Sequence, residues 1–182
     1  MPISEIQRAE WQAGIEERRK QIEVLREQSV AILHDLATAG YHGRTVSELG
    51  KPPYDRAFPI FVKHLRLGYP EEIRANMYGW FSDKAGRPYW PTLVEFYRNE
   101  SSELAREALA SAMSWHVVGK NVSVAIELAK DRKLGPSRQW FLYALRNKRD
   151  EKTKECLASL RDDPELQSMF ALIDEAKQKG TK

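Results

Sequence analysis

The feature that most constrains the fold is an arginine that returns at a fixed interval. Arg74, Arg106 and Arg138 stand 32 residues apart, opening RANMYGWF, REALASAM and RQWFLYAL. The residue three after each arginine is apolar (Met77, Leu109, Phe141), and so is the residue seven after it (Phe81, Met113, Leu145). That spacing makes one stripe on an α-helix. A helical pattern repeated at such a period is the signature of an array in which each unit buries its apolar face against its neighbours. Leu128 and Leu160 keep the same 32-residue interval, as do Asp131 and Asp163.

Around this period the chain divides into helix pairs. The first unit has helix A over 55–67, with Phe61, Val62 and Leu65 apolar, a turn at 68–70 and helix B over 71–84. The second has 90–98, a turn at 99–102 and 103–116. The third has 121–130, a turn at 131–135 and 137–148. The fourth has 151–160, a turn at 162–164 and 165–177, and lacks the arginine, with Gln167 nearby. Terminal repeats are commonly atypical because they cap the stack. Ahead of the array, 3–38 reads as one long helix, with Ser4 and Gln7 as a capping box. Residues 41–53 carry Gly43, Gly50, Pro52 and Pro53 and read as loop, with room for one helical turn at 46–49. No segment alternates with the period of two that a strand requires. The expectation is a single all-α domain over 1–182: helix over 1–40, loop over 41–53, and over 54–182 a right-handed α-solenoid of about four antiparallel helix pairs.

Units of this length, with an aspartate in the turn after helix A and an arginine opening helix B, resemble the HEAT-repeat family of armadillo-like α-solenoids. Asp131 with Arg138 fits the pattern best. Arg74 and Arg106 keep the arginine without the aspartate, and Glu100 is the nearest substitute for Arg106. The segments YDRAFPIFVKHL, YPEEIR and GPSRQWFLYAL are similar to small bacterial HEAT-repeat proteins, and the resemblance covers 54–177. It implies a scaffold or binding platform. A minority of such helical-repeat proteins are enzymes, among them alkylpurine DNA glycosylases.

The arginines read as scaffold, because a catalytic residue has no reason to recur with the period. A guanidinium at the positive end of a helix dipole needs a carboxylate to offset it; Asp131 and Asp163 are the candidates. The tryptophans behave differently. Trp80, Trp115 and Trp140 fall six, nine and two residues after their arginines, which at about 100° per residue turns them away from the apolar stripe. They either fill gaps between units or line one groove, where large exposed aromatics serve as interface anchors. Residues 120–154 hold ten Lys or Arg against four acids, beside Trp140 and Tyr143. Such a patch suits an acidic protein or, with base stacking, a nucleic acid. The expected contact residues are therefore Trp80, Trp115, Trp140 and Tyr143, with Arg132, Lys133 and Arg149 as a charged rim.

Other chemistry finds little footing. The histidines (34, 42, 64, 116) lack metal-ligand spacing, and Cys156 is the only cysteine, which excludes an internal disulfide and a cysteine zinc site. In ECLASL it reads as an inert core thiol. No nucleophile motif or phosphate-binding glycine loop is present. Asp83 is a lone carboxylate for glycosylase-like chemistry. Neither a catalytic residue, a cofactor nor a metal is expected. No apolar run has membrane-spanning length, and MPISEIQRAEW lacks a signal-peptide layout, so the expected compartment is the cytoplasm. The leading expectation is a non-enzymatic protein-binding module; the alternative is a nucleic-acid-binding, glycosylase-like protein. The polar N-terminal helix, with Ile15, Ile22 and Leu25 at heptad-like spacing, is a candidate for dimerisation.

Overall fold

The computed structural model describes residues 5–180. Among them the chain is all-helical, with no strand. Its packing falls into two compact units, Met1–Met77 and Tyr78–Lys182, and the division lies inside a helix. Ser4, expected to cap the first helix, lies outside the described residues.

In the first unit, the single helix expected over 3–38 is two: α1 (Glu5–Gln28) and α2 (Val30–Thr38). The break falls at Ser29, whose Oγ donates to the Leu25 carbonyl at 2.6 Å while its N–H bonds Arg26 at 3.0 Å. A hydroxyl that bonds back to the preceding turn competes with the helical ladder. α2 packs on α3 (Ala57–Leu65) and buries Ile32 and Leu36; α3 buries Phe58 and Phe61. Both are short helices whose hold comes from this apolar contact rather than from intrinsic propensity. Residues 41–53 are loop, with a turn but no helix at 46–49. Val46 and Leu49 are nonetheless buried, and the Tyr41 hydroxyl donates to the Pro53 carbonyl at 2.7 Å. α4 (Glu71–Trp80) closes the unit and carries the chain into the second.

The second unit opens with a 3-10 turn over Lys84–Tyr89, then α5 (Trp90–Asn99), α6 (Glu103–Ser114) and α7 (Asn121–Lys130). A further 3-10 turn, Arg132–Arg138, leads into α8 (Gln139–Leu145). α9 (Glu151–Ser159), the turn Pro164–Leu166 and α10 (Gln167–Gly180) complete it. Successive helices pair, α5 with α6 and α7 with α8; alternate ones also meet, α6 with α8, α8 with α10 and α7 with α9. α8 is shorter than the 137–148 expected. Gly135 stands at φ 65° in the left-handed region, where a side chain is strained, so the helix cannot be entered until the 3-10 turn is passed. Asp131 and Asp163 hold equivalent posts 32 residues apart: each carboxylate accepts the N–H two residues on, Lys133 and Glu165, both at 3.1 Å.

All six apolar positions set by the arginine period (Met77, Leu109, Phe141, Phe81, Met113, Leu145) are 0% exposed. Fully burying a side chain of that size contributes about 1.5–3 kcal/mol.

Candidate partner-binding site

The arginines organise the second unit around its turns. Arg106 donates Nε and Nη2 to the Glu100 carbonyl at 3.0 and 2.6 Å, in the turn before its own helix. Its Nη1 reaches the Leu134 carbonyl, 28 residues on, at 3.4 Å. Glu100 therefore serves Arg106 through its backbone; its carboxylate accepts from Ser102 N at 2.9 Å and from the Tyr78 hydroxyl at 3.2 Å. Arg74, in α4, likewise donates to the carbonyl of Tyr69 in the turn before it.

Arg138 repeats the arrangement with full burial. It is 0% exposed and donates to the carbonyls of Gly135 (2.8 Å) and Ala129 (3.2 Å). Its carboxylate partners are Asp163, at 3.3 Å from both Nη1 and Nη2, and Glu165, at 2.5 Å. The partner expected in its own turn, Asp131, is instead occupied in capping Lys133. The aspartate that neutralises Arg138 comes from the following turn, so the pair joins two successive turns of the second unit rather than closing one. Burial pushes the Asp163 carboxyl up, but the Arg138 hydrogen bond and the Glu165 N–H outweigh it and hold the group below the usual carboxylate range.

The aromatic residues separate. Trp115, at the end of α6, is 70% exposed, and Tyr143 on α8 is 43% exposed. Trp80 and Trp140 are half-buried. Trp140 and Tyr143 form one ledge on α8, with ring centroids 6.4 Å apart and planes at 74°. The Trp140 indole N–H donates to Glu107 on α6, which also accepts from the Gln139 amide at 3.0 Å. Arg146 lays its guanidinium over the Tyr143 ring, 3.5 Å from the centroid, and donates to the Tyr143 carbonyl. Sequence reasoning missed Glu107 and counted Arg146 only within the basic excess over 120–154. Glu107 lies 33 residues before Trp140, close to the repeat interval, and that offset was the available signal.

The charged rim is not one cluster. Arg132 and Lys133 precede α8 and Arg149 follows it, so they sit at opposite ends of that helix. All three are exposed, and Arg132 Nε lies 3.5 Å from Asp163. Of the basic excess over 120–154, Arg138 is buried and neutralised, and Lys154 pairs with Glu151 at 3.1 Å. Asp83, considered for sugar-cation chemistry, is half-buried and accepts the Ala85 N–H at 2.9 Å.

A second polar cluster, not anticipated, lies in the first unit. Buried His64 links two partners: Nε2 donates to Asp35 Oδ2 at 2.9 Å, and Nδ1 shares a hydrogen bond with the Tyr69 hydroxyl at 2.8 Å. Lys63 Nζ also meets Asp35, at 2.7 Å. Hydrogen bonds from Lys63 and then His64 draw the Asp35 carboxyl down to about 2. Burial, then the Asp35 charge, pushes the Tyr69 hydroxyl up. Among the described residues, no group of three or more His, Cys, Asp or Glu could hold a metal ion, and no helix is long and apolar enough to cross a membrane.

Set against known proteins, the chain matches no family model, no curated protein and no solved structure.

Proposed function

We propose that the chain is a non-enzymatic protein-interaction module, a short right-handed HEAT-like helical array that holds a partner on the face of α6 and α8. The observation that carries the reading is the ledge of Trp140 and Tyr143 with Arg146 stacked on it; Trp115, at the end of the neighbouring α6, is exposed as well. Tryptophan, tyrosine and arginine are the residue types that dominate interface hot spots. Trp140 is already oriented by Glu107, so little side-chain freedom remains to be lost on binding. The contacts of α6 with α8, α8 with α10 and α7 with α9 support the array, since helices of like kind meet across successive units. The excess of lysine and arginine over 120–154 favours a partner that is acidic where it meets this face.

The test is capture of partners by the full chain beside Trp115→Ala and Trp140→Ala/Tyr143→Ala. A specific partner should be lost with the double variant while the melting temperature stays within a few degrees. Equal recovery of every partner by all three proteins would remove the face from consideration.

A second reading concerns α1. Trp11, Ile15 and Ile22 are exposed along it, which suits pairing with a second copy. Deleting 1–29 should then halve the mass in solution, and an unchanged monomer ends that reading. The nucleic-acid alternative predicts affinity for short DNA or RNA that falls steeply with salt.

A further inference from the structure

One cleft in the second unit shares no residue with the α8 face. The 3-10 turn Lys84–Tyr89 and the connection before α7 face each other across about 540 Å³. Its walls include Lys84, Arg87, Pro88, Trp90, Val118 and Lys120, and no acidic side chain lines it. The three cations are exposed and make no ion pair among the described residues. Trp90 is 5% exposed, and its indole N–H, buried, finds no acceptor.

The walls are fixed. Gly86 is packed so closely that a Cβ there would come within 2.6 Å of the Phe81 carbonyl oxygen. Asn121, which lines the opposite wall, donates its side-chain amide to the His116 carbonyl at 2.9 Å. The His116 ring donates Nε2–H to the Phe81 carbonyl, and so ties the connection back to the residues just before the 3-10 turn. Asp83, the nearest carboxylate in sequence, is committed to capping Ala85.

Isolated surface lysines need no explanation, but three cations converging on one rigid concavity repel one another, and an anion relieves that repulsion. A single carboxylate would leave most of the charge uncompensated, whereas a phosphate carries close to two charges and matches the guanidinium fork of Arg87. The volume lies in the range of small-ligand sites, and the Pro88, Trp90 and Val118 wall offers apolar surface beside the charge. We propose that this cleft binds a phosphate group attached to a planar or apolar body, with Lys84, Arg87 and Lys120 holding the phosphate and Trp90 and Val118 receiving the body. Two sources share that chemistry: a free nucleotide, and the phosphorylated end of a nucleic-acid strand.

Calorimetry on the full chain at low salt tests it, with inorganic pyrophosphate, AMP, adenosine, and a short oligonucleotide with and without a 5′-phosphate as probes. Pyrophosphate and AMP should bind saturably at one site, and adenosine at least tenfold more weakly than AMP. Arg87→Gln/Lys120→Gln, both at exposed positions, should weaken AMP at least tenfold with the melting temperature unchanged. A phosphorylated oligonucleotide that outcompetes AMP at this site, and loses that advantage without its phosphate, identifies a strand end as the source; equal or weaker binding identifies the nucleotide. Absence of saturable binding by both pyrophosphate and AMP, or binding that survives the double substitution, overturns the proposal.

Discussion

Arg138 and Asp163 meet across 25 residues of chain, with both terminal guanidinium nitrogens 3.3 Å from one carboxylate oxygen and neither residue open to solvent. Breaking a buried pair from one side strands the other charge, at a cost of about 3–5 kcal/mol. Arg138→Met should therefore lower the urea midpoint by that equivalent with an unchanged slope. Arg132→Met, at an exposed position beside the same Asp163, should cost under about 1 kcal/mol. Similar losses from the two variants would mean the burial of Arg138 does not matter.

Acid should unfold the protein early, because several groups bind protons less readily folded than unfolded. The Asp35 carboxyl is held at about 2 by Lys63 and His64, and Asp163 is also held down, while burial lowers His116. When the folded value is depressed, falling pH favours the unfolded chain. The carboxylate contribution should be complete above about pH 5, where an unfolded aspartate is almost fully ionised, and for Asp35 should be lost progressively as pH falls through about 2. The His116 contribution should begin to fall below about pH 6.5. In Asp35→Asn the acid limb of the stability curve should be shallower; an unchanged limb refutes the assignment.

Cys156 should be inert in the folded protein. It is buried and its thiol is pushed up by that burial, only partly opposed by Lys130. Thiolate is the reactive form. Labelling by a disulfide reagent at pH 8 should follow the unfolding curve in denaturant, and rapid labelling of native protein would contradict the packing of α9.

Gly86→Ala should be destabilising although its backbone is ordinary. The added methyl would meet the Phe81 carbonyl oxygen at 2.6 Å, and backbone cannot yield as a flexible side chain can. Overpacking of this kind costs about 1–3 kcal/mol. A thermal melt that matches the parent protein would show that the Lys84–Tyr89 turn shifts freely.

Glu107→Ala should loosen Trp140 without unfolding the protein. The substitution removes the acceptor shared by the indole and the Gln139 amide. A loss of about 1 kcal/mol is expected for partly solvated groups, together with a changed Trp140 fluorescence measured against a Trp140→Phe reference. Glu107→Gln keeps an acceptor oxygen and should restore most of both. Identical spectra for parent and Ala variants would show that the ledge is not held through Glu107.

How much was legible follows from the range of each interaction. The core positions at three and seven after each arginine were readable because helical periodicity is local, and all are fully buried. α7 was readable to the residue, lying between Gly119 and the turn at Asp131. The break at Ser29 was not, because one hydroxyl bonding back to Leu25 leaves no pattern in hydropathy. The early end of α4 and the turn Lys84–Tyr89 were missed for a related reason: 3-10 geometry follows from caps such as Asp83 and from fit against Phe81, which a periodicity cannot express.

By itself the sequence determined the helical content and the apolar stripe that α4, α6 and α8 would bury, since these depend on residues within two turns of one another. Only the tertiary structure decided which charges meet. Arg138 takes Asp163 rather than Asp131, and Lys120, one of the basic run over 120–154, lies with Lys84 and Arg87 along one cleft. Electrostatic partners are chosen by distance in space and by burial. Folding brings together side chains such as Arg138 and Asp163 whose spacing along the sequence carries no mark of the encounter.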